Sequence, residues 1–183
     1  EIFGPQADLL VAEVLGRDRS NLLRHLSIDR GSQDGLEPGM PVITARGLVG
    51  QISEVRTNSA KVKLLTDTSS SVAALVQRSR ATGMVEGRTG PNLIMRLLPQ
   101  IDGVAQVGDV VLTSGLGGHF PRRLLIGEIT QVQRRDVDMF QEARLRPAVD
   151  FDALETVIVV RHFTPIGVEA QNSRDSHVTG GAR

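Results

Sequence analysis

Val14-Leu-Gly-Arg17, Asn21-Leu-Leu23, Gly35 and Gly39-Met-Pro-Val-Ile-Thr44 stand in the same order as Val85-Glu-Gly-Arg88, Asn92-Leu-Ile94, Gly103 and Gly108-Asp-Val-Val-Leu-Thr113, at an offset of about 70 residues. The correspondence continues. Gly47-Leu-Val-Gly50-Gln-Ile52 and Val55 match Gly115-Leu116 and then, after about eight inserted residues, Gly127-Glu-Ile129 and Val132. Within each copy the apolar residues alternate with polar ones, and runs rich in Val, Ile and Leu end at Gly, Asn, Asp or Pro, the pattern of short half-buried strands. Strands are expected over Leu10–Leu15, His25–Asp29, Met40–Thr44, Gly47–Val55, Val62–Thr66 and Ser71–Gln77, then Thr82–Glu86, Leu93–Leu98, Val110–Thr113, Leu124–Val132, Glu142–Pro147 and Thr156–His162. Six strands per copy can close a small barrel, and closure removes free strand edges. The fold class expected is therefore all-β, two tandem small six-stranded antiparallel barrels with little helix. A single turn over 150–155, capped by Asp150, is the one helical candidate.

The repeat divides the chain into 1–7, the end of an upstream linker or coiled coil; 8–80, the first barrel; 81–163, the second; and 164–183, a disordered tail lacking periodicity. The seam falls at Ser79–Thr82, with crossing of the terminal strands between barrels left open. Gly39, Gly47, Gly50, Gly108, Gly115 and Gly127 are expected at repeat-equivalent corners, where the backbone needs positive φ or close approach. The first residue is Glu1, so the chain is expected to be a fragment or processed product, with any targeting segment upstream.

Composition mostly excludes. The 183 residues carry 21 basic and 21 acidic side chains, interleaved, which argues against binding a polyanion. There is no Trp or Tyr, and the five aromatics are Phe3, Phe120, Phe140, Phe151 and Phe163, so base or sugar stacking is short of material and the core must be aliphatic. Absence of cysteine removes thiol nucleophiles and thiolate metal sites, and suits either a cytosol or an oxidising space. No apolar run reaches the roughly 18 to 20 residues of a membrane span.

Candidate chemistry is thin. His25, His119, His162 and His177 are scattered, Asp136, Asp138 and Glu142 lack the glycine and ligand spacing of a calcium loop, and Gly115-Leu-Gly-Gly118 leads into Phe120-Pro121 rather than a helix. No metal or cofactor is expected. Paired six-stranded barrels are the chymotrypsin-like type, and Asp109, Ser114 and His119 could suggest a triad, but all three fall within one hairpin, with Asp109 and Ser114 at opposite ends of a strand. An inactive or cryptic serine-protease-like hydrolase and a nucleic-acid-binding barrel remain as alternatives. The inserted loop reads better as a contact: Leu116, His119 and Phe120 at a glycine turn absent from the first copy are protein-contact candidates, although Phe120 could instead fold back as a barrel plug.

Gly47-Leu-Val-Gly50-Gln-Ile52 with Val62-Lys-Leu-Leu-Thr66-Asp67, and Val107-Gly-Asp109-Val-Val-Leu-Thr-Ser-Gly115-Leu-Gly-Gly118 with Phe120-Pro121 and Gly127-Glu-Ile129, resemble the rod shape-determining MreC family. Leu26-Ser-Ile28, Gly35-Leu-Glu-Pro-Gly39 and Arg146-Pro-Ala-Val-Asp150 extend the likeness over nearly all of 7–160. The resemblance implies a non-enzymatic periplasmic scaffold of the bacterial elongation machinery, anchored in the inner membrane by an upstream helix followed by a coiled coil. It further implies self-association into dimers or larger assemblies, and binding of the elongation penicillin-binding transpeptidase and other membrane proteins of that complex. Arg122-Arg123 departs from the family's basic residue and glycine after Phe-Pro, and His119 sits at a variable loop position.

Overall fold

A computed structural model describes residues 2–4, 6–19, 24–134 and 138–164. The tail expected from 164 onward therefore lies, beyond Thr164, outside the described residues, as do Asn21, Leu22, Leu23 and Asp136. Twelve strands run in chain order: β1 (Asp8–Arg19), β2 (Arg24–Ile28), β3 (Pro41–Thr44), β4 (Gly47–Val55), β5 (Ala60–Leu64), β6 (Ser71–Val76), β7 (Thr82–Gly87), β8 (Leu93–Pro99), β9 (Val110–Thr113), β10 (Leu125–Gln133), β11 (Phe140–Pro147) and β12 (Thr156–His162). Every expected strand is present, because alternation is obeyed where it matters: in β5, Ala60, Val62 and Leu64 point inward while Lys61 and Lys63 do not. Over 150–155 there is a turn rather than a helix, with Asp150 Oδ1 accepting from the Asp152 N–H at 3.0 Å.

The strands close into two antiparallel barrels, ordered β1-β12-β3-β4-β5-β2 and β10-β11-β8-β7-β6-β9. This corrects the partition at Ser79–Thr82. The supposed seam is the tip of the β6–β7 hairpin, whose strands pair from Ser71↔Glu86 to Leu75↔Thr82. A connection that short obliges antiparallel neighbours, so β6 joins the second barrel. β12, assigned to the second barrel by its position, instead pairs with β1 and β3 in the first. The second barrel is thus continuous over 71–147 and inserted into a discontinuous first one. The repeat survives with one strand permuted: β6 stands in the second barrel where β12 stands in the first, and the strand order is otherwise identical.

Equivalent backbone bonds verify the superposition. Gly39 N–H donates to Ile52 O and Gly108 N–H to Ile129 O, both at 2.8 Å, and the two glycines share a left-handed φ of 93° and 91°. Gly50 and Gly127, expected at corners, lie within β4 and β10 instead. Their requirement is close approach: a Cβ there would sit 1.9 Å from Lys63 O and 2.2 Å from Arg146 O respectively. Leu93 occupies the place of Leu26, and Met95 that of Ile28, as the pairings with β11 and β5 show, so the sequence match of Asn92-Leu-Ile94 to Asn21-Leu-Leu23 is corrected: it is out of register by four residues.

Where the chain passes from one barrel to the other, an aspartate shapes the turn in each direction. Asp67, fully buried, accepts from Ser69 N–H at 2.8 Å, Ser69 Oγ–H at 2.5 Å and Arg24 N–H at 2.8 Å. Asp150 plays the matching part on the return. The core is aliphatic, built from residues such as Leu26, Ile52, Val62 and Val159 in the first barrel and Val85, Met95, Ile129 and Leu145 in the second.

Candidate protein-contact groove

The loop from Ser114 to Leu124 joins β9 to β10 and is the insertion that the first copy lacks. Its base is stapled by Thr113, which is fully buried. Thr113 Oγ1 donates to Pro121 O at 2.6 Å and accepts from Leu124 N–H at 2.9 Å, while its N–H donates to Leu124 O at 2.9 Å. Ser114 N–H reaches Ala73 O on β6 at 3.0 Å, and Ser114 Oγ accepts from Leu116 N–H at 3.2 Å. Gly115, Gly117 and Gly118 all hold φ between 72° and 80°, a run of left-handed residues that side-chain-bearing positions would resist. The loop is therefore a platform stapled at its base to β9 and β6.

This platform forms one side of an apolar groove of 640 Å³, lined by Leu116, Gly117, His119 and Phe120. Ser71 and Ala73 of β6, Thr82, Gly83 and Met84 of β7, and Leu97 of β8 supply the rest, together with Gln51 from β4 of the first barrel. The three sequence candidates thus share one groove. They differ in exposure: Leu116 is 62% exposed, His119 is exposed, and Phe120 at 9% forms part of the floor. Gly83 keeps that floor low, since a Cβ there would meet Arg96 O at 2.4 Å. Sequence reading missed the facing wall of Ala73, Met84 and Leu97, which only the closure of β6, β7 and β8 brings opposite the loop.

Of the residues that could suggest a triad, Asp109 is engaged elsewhere. Asp109 is held by Arg78 through Nε at 2.8 Å and Nη2 at 2.7 Å, and accepts from Gln106 N–H at 2.9 Å. The Arg78 hydrogen bonds foremost, against a desolvation cost and with the Gln106 amide adding to them, hold its carboxyl below the usual carboxylate range. Asp109 clamps the β6–β7 turn onto the β8–β9 loop and orients no imidazole. At Asp67, burial pushes the carboxyl up, but hydrogen bonds from the Ser69 hydroxyl and the Arg24 and Ser69 amides, with the charge of His25, together outweigh it and hold the group low. Among the described residues no three His, Asp or Glu side chains gather as a metal site would need. Among the described residues several arginines are paired with acids, as in Arg78–Asp109, Arg134–Asp102, Arg146–Glu128 and Arg161–Asp8.

The twin barrels and the groove stand beside a clear likeness to known proteins. The family model described as "Rod shape-determining protein MreC, barrel core" matches residues 14–161. The cell shape-determining protein MreC of Listeria monocytogenes is 35% identical over 179 residues, covering 95% of this chain and 60% of that protein. The chain thus spans less than two thirds of that relative's length. A crystal structure of MreC from Pseudomonas aeruginosa superposes with a TM-score of 0.79 at 32% identity, covering 84% of this chain and 99% of that one. Two further structures share the fold: the major periplasmic domain from the cell shape-determining filament MreC, with a TM-score of 0.71 at 24% identity, covering 84% of this chain and 95% of that one; and a complex between penicillin-binding protein PBP2 and MreC from Helicobacter pylori, with a TM-score of 0.68 at 16% identity, covering 85% and 98%. These relatives are named for determining cell shape, a structural role rather than a catalysed reaction. With the family's barrel core matched from β1 to β12, the chain belongs to the MreC family of rod shape-determining proteins.

Proposed function

We propose that this chain is the periplasmic scaffolding part of a cell-shape protein tethered to the inner membrane, that it self-associates, and that it binds the elongation transpeptidase and biases it towards activity. The groove formed by Leu116, His119 and Phe120 against Met84 and Leu97 supports this reading most directly. It offers an apolar surface with an exposed leucine at its lip, and the solved relative complexed with a penicillin-binding protein names the kind of partner. Activation needs no chemistry from the scaffold. A partner that binds the active conformation of an enzyme a few kcal/mol better than the inactive one shifts the population by that differential alone.

Leu116→Asp tests the reading, because so exposed a side chain contributes little to the fold. We expect the melting temperature to stay within about 2 °C of wild type and affinity for the transpeptidase's periplasmic region to fall about tenfold, equivalent to about 1.4 kcal/mol. Phe120→Asp, which places a charge in the floor, should weaken binding further and cost stability as well. Unchanged binding and unchanged sedimentation for both variants would refute the groove as the contact.

A further inference from the structure

We infer that the contact surface continues beyond the groove, across Leu97, into a second cleft lined by Met139 and Phe140, and that the two clefts together receive one amphipathic helix of the partner, apolar on its buried side and basic on its flank. This rests on the groove being the partner contact. Leu97 lines both clefts, the second having a volume of 270 Å³.

Leu97 is unusual on two counts. Its φ is 60°, a left-handed conformation that leucine resists, and its side chain is 53% exposed, so core packing does not repay the strain. The cause is a bulge: β11 pairs Gln141 with Leu98 and Ala143 with Met95, so Arg96 and Leu97 together oppose Glu142. The bulge turns Leu98 into the core and throws Leu97 out as a ridge between the clefts. Strain held where it contributes no packing is a mark of a contact position. Beside the ridge, Met139 is 82% and Phe140 48% exposed, the large apolar side chains that line the second cleft with Leu97.

The form of the occupant follows from what the surface cannot accept. Among the described residues each sheet closes on itself, so β7, β8 and β11 beneath the clefts are paired on both sides and none is an edge strand for β-augmentation. The clefts hold no Tyr or Trp on which to stack a polyproline segment, and no arginine cluster for a phosphopeptide. A helix laid across the ridge remains. Charge sets its flank: Arg96 is shared between Glu86 at 3.4 Å and Glu142 at 3.3 Å, Asp138 lines the same cleft, and Arg134 is taken up by Asp102 at 2.6 Å. Within the cleft itself Asp138 and Glu142 stand against Arg96 alone, so a basic residue beside the helix's apolar stripe is favoured.

The test uses the transpeptidase's periplasmic region, with affinity and melting temperature measured in parallel for wild type, Leu116→Asp, Leu97→Gly and Met139→Asp/Phe140→Asp. We expect Leu97→Gly to weaken binding at least tenfold while the melting temperature holds or rises, since glycine adopts the left-handed backbone freely, and the double variant to weaken it similarly. A photo-crosslinking residue at 139 should capture partner positions spaced by three and four. If wild type and Leu97→Gly bind alike while Leu116→Asp is impaired, the extension is wrong and the groove stands. Captured positions spaced by two, as in a strand, overturn the helix. If wild type does not bind at all, the underlying reading fails and this one with it.

Discussion

Replacing Thr113 with valine probes the feature that makes the loop a platform. Valine preserves the shape of the buried side chain and removes the hydroxyl, which bonds Pro121 O at 2.6 Å and Leu124 N–H at 2.9 Å. Each buried group left without a partner costs about 1–3 kcal/mol, so with partial relaxation of the loop the change should destabilise by about 2–4 kcal/mol. In a protein of this size each kcal/mol moves the melting temperature by about 2–4 °C, and a drop of roughly 4–16 °C is expected. Thr113→Ser is the matched control. It keeps both bonds and loses one buried methyl, costing about 1 kcal/mol. Thermal unfolding followed by far-ultraviolet circular dichroism reads both variants, and amide exchange at Leu124 reports whether the base of the loop has opened. If valine and serine lowered the melting temperature equally, the methyl group rather than the hydroxyl would be holding the loop, and the account of the platform would be wrong.

Three further outcomes check the rest of the architecture. A fragment of residues 69–149 should fold alone, because it contains β6 to β11, whereas 8–80 should not, because it lacks β12 and carries an unpaired β6; dispersed amide proton spectra distinguish them. Gly50→Ala and Gly127→Ala should each cost about 1–3 kcal/mol or more in chemical denaturation, since their Cβ would sit 1.9 Å and 2.2 Å from a carbonyl oxygen, while Gly16→Ala, with nothing within 4 Å, should be close to neutral. Asp67 and Asp109 both titrate below the reference value of 3.8, so the unfolded chain takes up their protons first. Their contribution is complete above the unfolded value and is lost as pH falls through the lower folded values; Asp67→Asn should flatten that acid limb of a stability–pH curve, and an unchanged limb would show the aspartate to be unimportant there.

The strands were legible because period two survives translation into a barrel wall: Ala60, Val62 and Leu64 face in whichever strands flank them. Partner choice was not, because β6 and β12 carry equivalent inward rows, Val72, Ala74 and Val76 against Val157 and Val159, and either would fill either barrel. What decides is geometry beyond the pattern. The β6–β7 turn is too short to separate those strands, and an arginine, just past the end of β6 and near the end of β12, hooks the glycine loop of the host barrel. Arg78 Nη2 donates to Gly103 O at 2.8 Å, and Arg161 Nη1 to Asp34 O at 2.7 Å, beside Gly103 and Gly35 with φ of 76° and 77°. The same limit applies at the groove. The insertion that carries Leu116 and Phe120 shows in the repeat, because the first copy turns from β3 to β4 through Ala45 and Arg46 alone. Its opposite wall does not show, since strict alternation after Leu93 and Met95 would bury Leu97 and expose Leu98. A single bulge reverses both, and a bulge is chosen by how two strands register, which no one strand's sequence contains.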